Sequence, residues 1–218
     1  MIKKRVFMQD NQSKSIPMLQ YNQNDVSIAA INTKYQGFFK VDEYQLKHKL
    51  FSQKFSESIT REVFERGDAV VVMLYDVIED NLLLLEQFRA GALRTEQSPW
   101  LLEFVAGMFE ANEDPIDVAI RETKEEAGIS IEASTVKPIM KYLSSPGGMS
   151  ECIHLYWAKF DSHKVSPGSI YGLDDENEDI LLHVISRTEA LALLEDGKII
   201  NASTIIGLQW LSRNYANL

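Results

Sequence analysis

Several things are scarce in this chain, and each scarcity excludes something. One cysteine, Cys152, stands among 218 residues. No internal disulfide framework or paired-thiol metal site can form from it, and a reducing compartment is the default. Eleven glycines and six prolines are too few for a collagen-like or low-complexity chain. Positive charge is also short. Lys and Arg total 22 against 32 Asp and Glu, a formal net charge of −10, and no basic stripe is present to neutralise a run of phosphates, which argues against a nucleic-acid partner. Long hydrophobic runs are missing as well: Val6-Phe7-Met8 follows the basic Lys3-Lys4-Arg5 but stops at Gln9-Asp10, short of a signal-peptide core. Nothing later approaches the ~20 apolar residues of a membrane span. The expectation is a soluble cytoplasmic protein with no membrane partner.

What is present suits a packed domain. With 45% hydrophobic and 25% charged residues, a chain of this length buries roughly 70% of its unfolded surface. Residues 1–25 are polar and aperiodic and read as a loose tail. Ile28-Ala29-Ala30-Ile31, Gly37-Phe38-Phe39-Lys40-Val41 and Tyr44 to Leu50 are short, partly alternating, aromatic-rich runs. They predict a small antiparallel sheet over residues 26–57, too thin to hold a core alone and therefore leaning on the rest of the chain or on a second subunit. Residues 58–218 form the main domain. There Ala69–Tyr75 and Leu82–Phe88 read as a strongly apolar hairpin, with further strands at Leu101–Met108, Val136–Leu143, Ile153–Phe160 and Ile180–Ile185. Helices are predicted at Pro115–Ala127, Arg187–Leu194 and Ser203–Asn214, which gives an α+β class or an α/β sandwich.

The helix at 115–127 is the best specified, because Asp114 suits the N-cap, Pro115 the first turn and Gly128 the C-terminal stop. Ile116, Ile120, Thr123 and Ala127 share one stripe, expected to be the buried face. Glu122, Glu125 and Glu126 stand at i, i+3 and i+4, on one face well away from that apolar stripe, and three like charges at these spacings weaken an isolated helix. Two readings stay open on the triad alone. It is a solvated acidic face, or it is held together by a divalent cation such as Mg²⁺, which takes one or two carboxylates and leaves room for water and phosphate.

The surroundings of the triad carry a resemblance. Gly107, Glu113, Arg121-Glu122, Glu125-Glu126 and Gly128-Ile129 fit the pattern G-x5-E-x7-R-E-U-x-E-E-x-G-U at every fixed letter, with Thr123 alone departing from an aliphatic slot. Chance would produce such a match about once in 10⁸ start positions. The chain therefore resembles the Nudix hydrolases, which implies an α/β/α sandwich with a small N-terminal antiparallel β domain. By that resemblance Glu122 and Glu126 are metal ligands, Glu125 is a further ligand or sits close behind, and the carbonyl of Ala106 is another ligand. Arg121 would pair with Glu113 and orient the carboxylates. Mg²⁺ is the implied metal, with Mn²⁺ as a substitute.

More of the chain looks like one subfamily, the bacterial ADP-ribose pyrophosphatases. The matching segments are Phe64 to Ala69, Glu86 to Arg89, Trp100 to Glu103, Ser145 to Glu151 and Asp175 to Asp179, and Pro146 falls where that subfamily carries its distinguishing proline. The resemblance implies a homodimer made through residues 26–57, with Phe38 stacking on adenine, where the residues alone suggest an ordinary core aromatic. It puts Arg61 and Glu62 near the nucleotide at the subunit interface and Arg89 on the diphosphate or terminal ribose, where a guanidinium fits phosphate in pairs of bonds. Glu103, Met108, Gly147, Gly148 and Glu151 are implied substrate contacts. A glutamate of the acidic loop 174–179 would be the base that activates water, Glu176 first and Glu178 second; on composition that loop is only a solvated charged segment. The implied reaction is metal-dependent hydrolysis of ADP-ribose to AMP and ribose 5-phosphate. Hydrolysis of GDP-mannose or UDP-glucose, and a non-catalytic ADP-ribose sensor, are the alternatives. His48, His154, His163, His183 and Cys152 carry no recognisable motif.

Overall fold

The computed structural model describes residues 18–110, 112–173 and 177–218. A three-stranded antiparallel sheet is formed by β1 (Val26–Gln36), β2 (Lys40–His48) and β3 (Ile59–Glu65) in that order. Its third strand comes from beyond the run where the small sheet was expected. The reason is pairing: Ile59 to Glu65 lies in register against Leu46 to Lys40, while Lys49–Phe55 only turns the chain around. The end of the polar tail joins this sheet, since the Lys49 N–H donates to the Asp25 carbonyl (2.9 Å) and the Tyr21 hydroxyl to the Leu50 carbonyl (2.8 Å).

The main body is an eight-stranded mixed sheet built from β4 (Asp68–Asp76), β5 (Asn81–Phe88), β6 (Trp100–Glu103), β7 (Val105–Phe109), β8 (Lys137–Leu143), β9 (Cys152–Lys159), β10 (Ile170–Tyr171) and β11 (Ile180–Ser186). Its helices are α1 (Pro115–Ala127), α2 (Arg187–Glu195) and α3 (Ala202–Asn214). Strand β4 explains the layering. It is apolar without alternation, and successive residues bury on opposite faces: Val70, Val72 and Leu74 pack with Val118, Ala119 and Ala127 of α1, whereas Val71 and Met73 pack with Ala190, Leu208 and Leu211 of α2 and α3. A strand covered on both sides reads as a continuous hydrophobic run. The result is a helix–sheet–helix sandwich.

The expected hairpin is a fork. Strands β4 and β5 pair only at Tyr75–Leu82 and Asp76–Asn81 and then separate. Into the gap go β7, paired with β4 from Val72 to Asp68, and β6, paired with β5 from Leu85 to Phe88. The single strand expected at Leu101–Met108 is thus two strands broken at Phe104, because one continuous strand could not satisfy the ladders of two diverging neighbours. Phe104 is fully buried against α3, where Gly207 leaves room for the ring: a Cβ at that position would stand 2.5 Å from its Cε2.

Opposite the open end, Asp76 secures the closed end of the fork. Its buried carboxylate accepts from the N–H and hydroxyl of Ser162 (2.8 and 2.7 Å) and from the N–H groups of Ile78 and Glu79 (3.0 and 3.2 Å). Burial alone would raise its pKa, but these bonds to the charged form win and hold it at about 2. A carboxyl depressed in the folded state stabilises fully above its unfolded pKa of 3.8, and the contribution is lost as pH falls through about 2. Asp76→Asn is therefore expected to cost about 2 kcal/mol near neutral pH. Denaturation followed between pH 7 and pH 2 should show the gap from wild type closing below pH 4; a constant gap would place the effect elsewhere.

Candidate active site

The site is assembled where α1 crosses β7. Asp114 caps the helix by accepting the Ile116 N–H (2.8 Å), and Gly128 ends it with φ 67°. The helix does not present its glutamates as one exposed face. Glu126 is 3% exposed, and its Oε2 accepts the N–H of Ala106 on β7 (3.0 Å). Glu122 lies across Gly107, so closely that a Cβ there would fall 2.2 Å from its carboxyl carbon. Only the absence of a side chain at 107 leaves room for the Glu122 carboxylate against the strand, and with Glu126 buried on Ala106 this corrects the expectation that all three stand clear of the buried stripe. Thr123 is fully buried in its aliphatic slot and returns its hydroxyl to the Ala119 carbonyl (2.7 Å), so the departure from the pattern is absorbed inside the helix. Ile116 and Ile120, expected on the buried face, pack at its margin, while Val118 and Ala119 are buried.

Arg121 pairs with Glu122 (3.0 Å) and Glu125 (3.4 Å). The expected partner Glu113 instead accepts the N–H of Glu110 (2.8 Å) and borders an adjoining hollow with Glu65, Asp68 and Ser150. The guanidinium is drawn to the nearer carboxylates of its own helix, one of them four residues on.

Around these groups opens a cleft of about 740 Å³. Of the residues singled out from the sequence, Phe38, Arg89, Glu103, Ala106, Met108, Arg121, Glu122, Glu126, Glu151 and Glu178 line it. Arg61 and Glu62 stand exposed on β3 and do not border it, and neither do Gly147, Gly148 and Glu125. Glu176 lies outside the described residues. Phe38 is 88% exposed, so it is no core aromatic; its ring meets Phe39 edge-on at 4.8 Å. Phe39 meets Phe64 in turn (5.2 Å) and lies under the Arg66 guanidinium (5.4 Å). The segment carrying Gly147 and Gly148 is stitched to β3 by the Phe64 N–H on the Gly148 carbonyl (2.8 Å) and the Ser150 N–H on the Phe64 carbonyl (3.2 Å). Cleft and small sheet are thereby joined.

Negative charge is crowded at this wall of the cleft. The Glu126 carboxyl is pushed well up, chiefly by burial and then by the charges of Glu122 and Glu178, against the opposing effects of the Ala106 bond and Arg89. A divalent cation between these carboxylates would reverse the repulsion. Among the described residues no three His, Cys, Asp or Glu side chains are gathered closely enough to hold an ion by themselves. A bound cation would thus take the carboxylates of α1 with backbone carbonyl, water or ligand oxygen. Across the cleft, Glu103 is buried and accepts from Gln87, Arg89 and Asn201.

The sequence reading passed over Phe39, Arg66, Tyr142, Ser144, Asn201 and Ser203, all of which line the cleft. Arg66 fell inside a matching segment, but no local spacing marks it or Asn201, because they reach the cleft from just after β3 and from the N-cap of α3 only through the packing of separate elements.

Comparison with known proteins agrees with this geometry. Residues 65–205 match the NUDIX domain. The chain is 45% identical over 198 residues to the ADP-ribose pyrophosphatase of Escherichia coli K12, covering 91% of this chain and 93% of that protein. It is 45% identical over 201 residues to the one from Haemophilus influenzae, with 91% of each covered. A GDP-mannose pyrophosphatase from Citrobacter koseri is 31% identical over 153 residues, 69% of this chain and 76% of that protein. A crystal structure of an ADP compounds hydrolase superposes with a TM-score of 0.64 at 22% identity, covering 87% of this chain and 93% of that one, and so shares the fold. With the sequence pattern, the sandwich and the domain match over residues 65–205 in place, the chain belongs to the Nudix family.

Proposed function

We propose that this protein hydrolyses ADP-ribose to AMP and ribose 5-phosphate, with Mg²⁺ as its metal. The observation that carries the reading is Glu126, a buried carboxylate beside the charges of Glu122 and Glu178 and sharing one cleft with Arg89 and exposed Phe38. The relatives named ADP-ribose pyrophosphatases, at 45% identity, stand nearer than the GDP-mannose enzyme at 31%, which supports the choice of sugar nucleotide. Nudix hydrolases require a divalent metal, and an acidic cleft offering a few carboxylates plus open positions suits Mg²⁺ better than a cage-building ion. When bound, the cation supplies positive charge against the diphosphate and its transition state.

The chain's own groups then divide the work. Glu122, Glu126 and the Ala106 carbonyl hold the cation, with Glu125 steadying Arg121 beside them. Arg89 binds the diphosphate, and Phe38 offers a flat apolar face to adenine. A glutamate of the 174–179 loop accepts the proton as water oxygen bonds to phosphorus and the bond to the bridging oxygen breaks. Glu176 is assigned that role, and Glu178, whose charge already reaches Glu126, a place beside the cation. We further propose that the protein works in the cytoplasm as a homodimer. Strand β1 is an edge, exposed along nearly all its 11 residues, with Ile28, Ile31 and Tyr35 open to solvent; such an edge is normally covered. Among the described residues no helix is long and apolar enough to cross a membrane.

Turnover measured on ADP-ribose, GDP-mannose and UDP-glucose, with Mg²⁺ and with EDTA, tests the reading. ADP-ribose should dominate, EDTA should abolish activity, and Glu126→Gln should lower kcat by orders of magnitude while the fold survives; full activity in that variant sinks the metal assignment. Gly107→Ala should displace Glu122 and reduce kcat at least tenfold with little change in melting temperature, whereas unchanged kinetics would show that Glu122 is free to sit elsewhere. Sedimentation should give about twice the 24.8 kDa chain mass, and Ile31→Lys should shift the equilibrium to monomer; a wild-type monomer refutes the dimer.

A further inference from the structure

Glu103 was expected to touch substrate, but its surroundings describe a different task. It ends β6 at the break in the fork and is 4% exposed. Three donors from three elements converge on its carboxylate: Gln87 Nε2 from β5 (3.2 Å) and Arg89 Nε from the segment after β5 (2.8 Å), both on Oε2, and Asn201 Nδ2 from the start of α3 (2.7 Å) on Oε1. A carboxylate accepts at about four lone-pair positions. Three are taken by the protein, so little is left for a ligand. Arg89, in contrast, gives Glu103 only its Nε edge. Its side chain is 41% exposed and lines the cleft, and among the described residues its terminal nitrogens make no hydrogen bond.

Asn201 extends the arrangement. Its Oδ1 caps α3 by accepting from the N–H and hydroxyl of Thr204 (3.1 and 3.2 Å), while its amide nitrogen is spent on Glu103. The carboxylate thus ties the first turn of α3, whose Ala202 and Ser203 border the cleft, to the guanidinium beside it.

We propose that Glu103 is a positioning residue: held by Gln87 and Asn201, it fixes the Nε edge of Arg89 so that the free end of the guanidinium meets the substrate's diphosphate. This rests on the pyrophosphohydrolase reading, and it names a residue that acts through another. The physical reason is that a guanidinium binds phosphate through a planar fork, whose orientation matters as much as its charge. An arginine on a free stem would lose rotamer entropy at every binding event, whereas a clamped one is already aimed, and small misplacements at such a site cost up to ~100-fold in rate.

A double-mutant cycle between Glu103→Gln and Arg89→Ala tests it, run with Mg²⁺ on whichever nucleotide sugar the wild type turns over best. Failure of the ADP-ribose assignment would appear in the wild type alone and leave the cycle readable. Glu103→Gln should reduce kcat/KM by about tenfold or more, mainly through KM, because it replaces one acceptor oxygen with a donor facing donors. In the Arg89→Ala background the same change should cost less than about twofold, since groups acting as one unit are non-additive. Equal losses in the two backgrounds, or no loss in either, overturn the proposal. Asn201→Asp provides a second arm that does not depend on Glu103→Gln folding. It keeps a capping oxygen for α3 but removes the donor to Glu103 and sets a like charge beside it. It should raise KM with melting temperature nearly unchanged, and wild-type KM in a folded Asn201→Asp overturns the coupling to α3.

Discussion

A carboxylate buried against bare backbone is the constraint on which this molecule turns. Moving an ionised group out of water costs several kcal/mol unless it is paired and hydrogen-bonded, and Glu126 has one backbone donor, Ala106, with two acidic neighbours raising its pKa further. The fold holds it there all the same, because α1 is fixed by an apolar stripe of Val118, Ala119 and Ala127 packed on β4 and its neighbours. Packing energy spread over many residues holds in place a local arrangement that is unfavourable by itself. The same bargain explains the glycine in the strand below, since Gly107 clears the space that Glu122 fills.

The second organising feature is the fork in the sheet. By separating after two residue pairs, β4 and β5 admit β6 and β7 and put the break between those strands at Phe104, beneath the cleft. That break sends the two halves of a short segment to different tasks: β7 supplies the backbone beneath the carboxylates of Glu122 and Glu126, and β6 delivers Glu103 to Arg89 and Asn201. The backbone that meets Glu126 and the carboxylate that holds Arg89 are therefore three residues apart in sequence, at Ala106 and Glu103. The small sheet adds the aromatic mouth through Phe38 and Phe39, and it is braced on the main body by the chain around Gly148 pairing with Phe64.

Much of this was legible before any coordinates. Helix limits at 115–127 followed from Asp114, Pro115 and Gly128, since cap residues act locally, and the structure has the same limits. The unbroken apolar run of β4 was read as a strand, though as one arm of a hairpin; its burial on both faces is a finding of the structure. The spacing of Gly107 to Ile129 named the family that the comparisons show. What misled was projection onto one helix. A wheel drawn for α1 alone set its glutamates apart from the buried stripe, because it cannot see a strand that has lost its side chain; the pairing of Arg121 with Glu113 came from the family resemblance, and here the guanidinium meets Glu122 and Glu125 of its own helix instead.

The sequence by itself determined most of the elements, the caps of α1, the main apolar runs and the letters of the Nudix pattern, all of which depend on neighbours within a few residues. Only the tertiary structure decided that the hairpin is a fork, that the small sheet closes with Ile59–Glu65, and that Glu103 faces Gln87, Arg89 and Asn201. Those facts depend on contacts between residues up to 98 apart. Such contacts form only once burial has brought separate elements together, and no local preference encodes them.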